Sequence, residues 1–229
     1  MSKLVWDKTG ERLYETGVEQ CALFPQDDTG VYPKGVAWNG ITAVTESPSG
    51  AEPTKLYANN RVYGTLMSAE ELGGTIEAYM YPDEYAECDG SVSVIPGVKI
   101  MQQPRKAFGL VYKTLIGNDV VGTNYGYKLH IIYNALASPS ENAHQSVNDS
   151  PEAPTMSWEF STTPVNVAGY KPTASMEFDS TTADAKKLAA LEAVIYGTAE
   201  KEPRLPFPDE IIGMMKPTEN PSDHQEAAG

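Results

Sequence analysis

The 229-residue chain is short of basic residues, because 17 Lys and Arg stand against 31 Asp and Glu and give a formal net charge of −14. Proteins that bind nucleic acids tightly take most of their affinity from contacts of Lys and Arg with phosphates. The composition therefore argues against a protein that grips DNA or RNA. Acidic surfaces are also common simply because they keep proteins in solution.

Cysteine and histidine are scarce as well. Cys21 and Cys88 belong to no CxxC or other metal-ligand spacing, which excludes a disulfide-rich scaffold and a zinc motif. The three histidines, His130, His144 and His224, are expected on the polar face of a strand, in a loop and in the C-terminal region. We assign none of them to catalysis or metal binding.

Long hydrophobic runs are missing, and no segment approaches the roughly 20 apolar residues of a transmembrane helix. The N-terminal sequence MSKLVWDKTGERLYETG has no apolar stretch of the kind that a signal peptide requires. We therefore expect a protein that has no membrane contact and is not secreted by the usual route.

Motifs of the common enzyme classes are also missing, since the chain contains no GxSxG, HExxH, P-loop or GxGxxG sequence. The densest acidic cluster is in YPDEYAECDG and comprises Asp83, Glu84, Glu87 and Asp89. Paired carboxylates can hydrolyse glycosides or bind Ca²⁺, but this spacing matches no calcium loop. We interpret the cluster as an acidic turn, and the sequence predicts no catalytic residue, no cofactor and no metal.

Alternation of apolar and polar residues predicts several half-buried antiparallel strands. The alternating strands are Thr75–Tyr81, Tyr127–Ala135, Met156–Phe160 and Ser175–Asp179. Val18–Phe24 and the less regular Ala107–Ile116 are further predicted strands, and Ser91–Ile95 is a candidate for a short one. One flanking helix is predicted at about 182–196, where Asp184 suits the first turn and Gly197 the end. The order of elements indicates a mainly β protein with two packed antiparallel sheets, as in a β-sandwich.

Three parts of the chain differ in composition. Residues 1–17 are polar and are expected to form an N-terminal arm, and residues 18–197 form the β domain. Residues 198–229 are rich in proline, and we expect an extended or partly disordered C-terminal tail.

The stretch Gly35–Gly90 contains a hairpin with an unusual insert. Strand-like runs at Val36–Thr45 and Arg61–Met67 flank the polar segment Glu46–Asn60, which is rich in Pro, Ser, Gly and Asn. A Gly73-Gly74 break is expected before the next strand. We predict a long protruding hairpin loop. Such a loop has little function in an isolated monomer, so we expect it to contact another molecule.

Several blocks of the sequence together resemble the major tail protein of long, non-contractile-tailed bacteriophages and related prophages. They read GVAWNGITAVTESPSGAEPTKLYANN, GGTIEAYMYPDE, KAFGLVYKTLIGND, GYKLHIIYNALASPS, SWEFSTTPV and LEAVIYG. The resemblance covers roughly residues 1–215 and keeps the order of the blocks.

The resemblance implies a structural virion protein. Such subunits form rings, usually hexameric, and the rings stack into a tail tube through which DNA leaves the capsid. The tube fold would be two packed antiparallel sheets with one flanking helix. The sheets of neighbouring subunits would join into an inner barrel, and a long hairpin loop would reach the next ring.

The resemblance also implies which residues contact other copies or face the channel. The loop positions that would contact the next ring are Glu46, Ser47, Pro48, Ser49, Gly50, Glu52, Pro53, Lys55, Tyr57, Asn59 and Asn60. Candidates to line an acidic lumen are Asp83, Glu84, Glu87 and Asp89, whose direction the sequence leaves open.

The partners implied by the resemblance are further copies of the chain, a tape-measure protein and a tail terminator. DNA would pass through without specific binding, and no membrane would be involved. The protein would be made in the cytoplasm of the bacterial host and reside in the virion tail.

Two alternatives remain open at the level of sequence. A carbohydrate-binding or hydrolytic β-sandwich for host recognition could use Trp6, Trp38 and Trp158 as stacking platforms. A single-ring tail terminator or connector would share the tube fold without stacking. The 13 tyrosines suit wet interfaces, but tyrosine is also a favoured strand residue.

Overall fold

The computed structural model describes residues 3–141, 144, 146 and 153–216. Within these residues the chain is mainly β, with antiparallel pairing throughout and few helices. The strands are β1 (Leu13–Pro25), β2 (Val36–Ala37), β3 (Ile41–Gly50), β4 (Pro53–Ala58), β5 (Arg61–Met67), β6 (Glu70–Ala78), β7 (Val92–Ile95), β8 (Val98–Ile100), β9 (Phe108–Asn118), β10 (Gly122–Ala137), β11 (Met156–Thr162) and β12 (Ser175–Asp179). The helices are α1 (Tyr85–Cys88), α2 (Ala185–Ile195) and α3 (Pro208–Met215).

One large sheet dominates the molecule. Its strands follow the order β2–β1–β9–β10–β11–β6–β3, and β12 pairs with β10 beside this path. The hairpins β4–β5 and β7–β8 form two small separate sheets.

The long strand β10 changes its pairing partner at a bulge. Residues Lys128–Ile132 pair with β12, whereas Ala135–Ala137 pair with β11 on the same side. Asn134 lies between the two regions with a φ of +50°, and its amide N–H donates to the hydroxyl of Tyr32 at 2.9 Å. Because a bulge redirects a strand, β10 can join two parts of the sheet that point in different directions.

The large sheet is curled around its hydrophobic side chains. Side chains from both ends share one hydrophobic cluster, the inner core, and β1 also contacts β3. The inner core contains Cys21, Leu23, Trp38, Ile76, Ala78, Tyr85, Cys88, Phe108, Leu110, Tyr112, Ile132, Ala135, Ala137, Trp158 and Phe160. The sequence predicted two packed antiparallel sheets, whereas the antiparallel strands around this core are connected by pairing into one large sheet. Alternation predicts which face of a strand is buried but not which strand pairs with it.

A second hydrophobic cluster, the outer core, lies on the opposite face of β1, β9 and β10 beneath α2 and α3. It includes Phe24, Val111 and Leu129 from the sheet and Leu191 and Ile211 from the helices. The predicted helix at about 182–196 is confirmed as α2, whose first turn is capped by Asp184 through the amides of Lys186 and Lys187 at 2.9 and 3.1 Å.

Burial on both faces explains the irregular pattern of β9. Phe108, Leu110 and Tyr112 point into the inner core, whereas Val111 points into the outer core. A strand between two cores is apolar along most of its length, so period-two alternation fades.

The structure moves both expected boundaries of the β domain. β1 begins at Leu13 and pairs there with Asn118, so the last five residues of the expected N-terminal arm, 13–17, belong to the sheet. The expected C-terminal tail starts as packed structure, because α3 buries Ile211, and Leu205 ahead of it is also buried. Their apolar side chains complete the outer core, a contact that no local pattern predicts. Residues 217–229 of the expected tail lie outside the described residues.

Candidate functional site

The segment Glu46–Asn60 is mostly strand, which corrects the expectation of a loop. β3 continues to Gly50 and pairs with β6 as far as Glu70. Beyond them β4 and β5 form a separate hairpin. Pro48 is tolerated in β3 because β3 ends the strand order, and proline is accepted on edge strands.

Gly73 and Gly74, expected to break the chain before a strand, lie inside β6. A Cβ atom on Gly74 would lie 2.3 Å from the carbonyl oxygen of Thr45 and 2.6 Å from Cζ of Phe160. Glycine is therefore required here because the ring of Phe160 packs directly against the backbone of β6.

We call residues 51–69, which comprise β4, β5 and their flanking residues, the arm. Its tip is a two-residue turn at Asn59 and Asn60, with φ values of +51° and +60°. Positive φ at both central residues is typical of the type I′ hairpin turn, which matches the twist of paired strands. The turn fixes the pairing of Ala58 with Arg61 at the end of the hairpin.

The arm exposes many apolar side chains. The exposed ones are Leu56, Tyr57, Val62, Tyr63, Leu66 and Met67, of which Tyr63 is 79% exposed. An isolated two-stranded hairpin is only marginally stable in water, and contiguous exposed apolar surface usually marks an interaction site. Residues 51–69 also carry Lys55 and Arg61 against one acidic residue, Glu52, and so have a net charge of +1 in a chain of net charge −14. The arm is thus a basic, apolar projection from an acidic protein.

The structure divides the predicted loop positions between two elements. The arm contains Glu52, Pro53, Lys55, Tyr57, Asn59 and Asn60, whereas β3 contains Glu46, Ser47, Pro48, Ser49 and Gly50. Glu46 is turned towards the body of the protein, since its Oε1 accepts a hydrogen bond of 2.7 Å from the hydroxyl of Tyr112.

The outer face of β3, β6 and β11 is hydrophilic, in contrast to the inner core on its other side. In register across the three strands it presents Ala43, Thr45, Ser47, Ser49, Glu71, Gly73, Thr75, Glu77, Ser157, Glu159 and Ser161. We call these residues the polar face. It contains three glutamates and no Lys or Arg, and each of its residues is exposed or half-buried. Sequence analysis missed this face, although the small and acidic residues between the apolar positions of β6 and β11 are its signal.

The polar face ends at an unpaired strand edge. Among the described residues β3 pairs only with β6, from Ile41 to Gly50 with a bulge at Thr42. Pro48 removes one backbone donor from this strand, and the free edge between the bulge and Pro48 can accept a strand from another molecule through backbone hydrogen bonds.

The four acidic candidates for a lumen lie in and next to α1, and three of them have basic partners within the chain. Asp83 lies 2.9 Å from Nζ of Lys99, and Glu87 lies 2.7 Å from Nζ of Lys106. Glu84 precedes the helix without a side-chain capping bond. The charge of this cluster is therefore partly neutralised.

Asp89 differs from the other three because it is partly enclosed. Its carboxylate lies 3.8 Å from a guanidinium nitrogen of Arg105. Burial raises the pKa of Asp89 above its ordinary value, although Arg105 opposes the change. A partly enclosed and paired carboxylate adds less to an external field than the open glutamates of the polar face.

A second exposed apolar hairpin follows α1. It is formed by β7 and β8, and we call residues 91–101 the second hairpin. Its exposed apolar residues are Val92, Val94, Ile95, Val98, Ile100 and Met101. The sequence predicted at most a short strand here, because the segment SVSVIPGVKIM is too short for periodicity to establish a hairpin.

Groups with catalytic potential are engaged in structural contacts. His130 stacks on Tyr112 with ring centroids 4.7 Å apart and lies 2.9 Å from the hydroxyl of Thr114. Cys21 and Cys88 are buried, and burial raises the pKa of the Cys88 thiol to about 12. Within the described part of the chain no three metal-binding side chains converge. His224 lies outside that part.

Two of the three expected carbohydrate platforms are unavailable. Trp38 and Trp158 are 2% and 1% exposed and pack against each other in the inner core, whereas Trp6 is 73% exposed.

The helices of the described residues are all too short or too polar to cross a bilayer.

No protein-family model matches the chain, and no curated protein is significantly similar to it.

Proposed function

We propose that the protein is the structural subunit of a phage tail tube, which assembles into rings that stack into a conduit for DNA ejection. The observation that carries the proposal is the polar face, a sheet surface of small and acidic residues that ends at the free edge of β3. This surface is suited to line a channel for DNA. Among the described residues, no cluster of catalytic side chains offers an alternative functional site.

The polar face supplies the surface chemistry that a lumen needs. Glu71, Glu77 and Glu159 present negative charge without a cation among the strand residues beside them. DNA phosphates would be repelled by these carboxylates, and the short Ser and Thr side chains would offer no bulky obstacle. In this proposal α1, with Asp83, Glu84, Glu87 and Asp89, contributes a weaker field because most of its charge is paired.

The free edge of β3 supports the joining of copies within a ring. If the edge pairs with a different strand of the neighbouring copy, the contact is heterologous, and repetition closes a ring when the rotation allows. The inner wall would then be one continuous sheet with its polar faces towards the channel. The number of copies is set by the rotation between neighbours.

The arm supports the stacking of rings. It projects beyond the large sheet from the end of β6 at Glu70, and its exposed apolar residues need a partner. A copy in the next ring would provide one. The remaining proposed partners are a tape-measure protein within the tube and a terminator at its end, while DNA passes without specific binding and the location is the virion tail.

Electron microscopy of the purified full chain at increasing concentration tests the proposal. We expect rings with a central channel, and stacked tubes at the highest concentrations. A variant in which Pro53–Met67 is replaced by two glycines should give rings that do not stack, because the body of the protein is retained. A chain that stays monomeric at every concentration, and with tail components added as nuclei, would overturn the proposal.

The same images separate the related alternative, because a terminator or connector forms single rings and no tubes. A glycan-binding screen addresses the carbohydrate-binding alternative, which the burial of Trp38 and Trp158 disfavours.

A further inference from the structure

The arm and the segment that leads to the second hairpin are attached to opposite ends of β6. The arm joins β6 at Glu70, and the segment that leads to α1 and the second hairpin leaves β6 at Ala78. Nine residues of strand separate the two attachment points by about 26 Å, at roughly 3.3 Å per residue. Two copies related by a shift along β6 therefore bring the arm of one towards the second hairpin of the other.

Both hairpins are incomplete as isolated units. Each has two strands, is detached from the large sheet and exposes apolar side chains. In the second hairpin Val94 and Ile95 are 58% and 59% exposed, and in the arm Tyr63 and Met67 are 79% and 68% exposed. Contact between the two would remove apolar surface from water on both sides.

The charges of the two regions are complementary. The arm, residues 51–69, carries Lys55, Arg61 and Glu52, a net charge of +1. Residues 82–106, which include α1 and the second hairpin, carry four carboxylates and three basic side chains, a net charge of −1. Glu84 has no ion-pair partner among the described residues and is exposed, so it can accept Lys55 or Arg61 of an incoming arm.

We propose that the second hairpin, together with α1, is the surface that receives the arm of a second copy from the neighbouring ring. The inference rests on the proposed function and adds the receiving element to it. It also accounts for the second hairpin, which neither the polar face nor the free edge of β3 requires.

Disulfide trapping between different copies tests the contact. A Tyr63→Cys chain and a tagged Val94→Cys chain are mixed, assembled and oxidised, so that a mixed disulfide joins the arm of one copy to the second hairpin of another. The native Cys21 and Cys88 are buried and are therefore not expected to form disulfides. Val120→Cys, at a site 62% exposed in the turn between β9 and β10, replaces Val94→Cys in the matched control.

The expected result is a mixed dimer band from Tyr63→Cys with Val94→Cys and none from Tyr63→Cys with Val120→Cys. Tubes that form normally but give no band with Val94→Cys would overturn this inference and leave the proposed function standing. Wild-type protein that forms neither rings nor tubes would overturn both.

A second variant needs no cross-link. Val94→Asp places a charge on the receiving surface at a site that is already exposed, so we expect an unchanged melting temperature, intact rings and at least a tenfold higher concentration for stacking. Val120→Asp, the same substitution at an exposed valine in the turn between β9 and β10, should stack like the wild type. Normal stacking of Val94→Asp would contradict the inference.

Discussion

The hydroxyl of Tyr112 on β9 donates a hydrogen bond of 2.7 Å to Oε1 of Glu46 on β3. β9 and β3 are far apart in the strand order, so the bond connects the two halves of the curled sheet across the inner core. Burial and the adjacent Glu46 carboxylate raise the pKa of Tyr112, and the phenol therefore remains the donor at neutral pH. Glu46 lies near the base of the arm, so this bond also holds the strand from which the arm extends.

Replacement of Tyr112 by Phe is expected to destabilise the protein by about 1–2 kcal/mol, because the half-buried Glu46 carboxylate loses its hydrogen-bond donor. Urea unfolding monitored by tryptophan fluorescence measures the change. Glu46→Gln is the matched control, since its amide oxygen still accepts the bond from Tyr112, and it should cost less. Equal stability of Tyr112→Phe and the wild type would show that the bond does not connect the halves of the sheet in solution.

Charge reversal on the polar face is expected to make assembled tubes retain DNA. With Glu77→Lys and Glu159→Lys combined, tubes should retain duplex DNA at low salt and release it as salt rises, because the lumen then attracts phosphates. Co-sedimentation of fluorescent DNA with the tubes measures retention. The control reverses Glu200 and Glu202 and should retain none. DNA retention equal in both variants would place the polar face outside the lumen.

The two buried thiols should report on opening of the inner core. Cys21 is 6% exposed and Cys88 is inaccessible, and burial raises the pKa of both, that of Cys88 to about 12. We expect neither thiol to react with a colorimetric disulfide reagent at pH 8 in native protein, and both to react in urea. Reaction of one thiol without denaturant would indicate local opening between the halves of the sheet.

The ion pair between Arg204 and Glu210 should make the attachment of α3 sensitive to acid. Nη1 of Arg204 lies 3.0 Å from Oε2 of Glu210, and this contact holds the pKa of Glu210 below its ordinary value. A lowered pKa in the folded state stabilises the protein above the ordinary carboxylate range, and the contribution disappears as pH falls through the lowered value.

Hydrogen exchange of α3 should therefore accelerate as pH falls from about 5 to about 3, after correction for the intrinsic rate. Glu210→Gln lacks the titrating carboxylate and should show a flatter dependence on pH over this range. Identical profiles for the two proteins would mean that the ion pair does not contribute to docking of the helix.

Local chemistry in the sequence determined several elements directly. The period-two pattern of Met156–Phe160 placed Met156, Trp158 and Phe160 on one face, and all three contribute to the inner core. Asp184 and the apolar residues that follow it predicted α2, and the structure confirms the helix at Ala185–Ile195. These predictions succeed because a cap or an alternating strand is encoded within a few neighbouring residues.

Non-local contacts decided the rest. The sequence by itself determined a mainly β chain with an acidic charge balance and a polar insert after Thr45. Only the tertiary structure turned that insert into paired strands, because β3 finds its partner in β6 at least 20 residues away. The polar face exists because three strands that are distant in sequence align their small and acidic residues in register. Pairing between strands is settled by packing and backbone hydrogen bonds across the whole fold, which no single segment encodes.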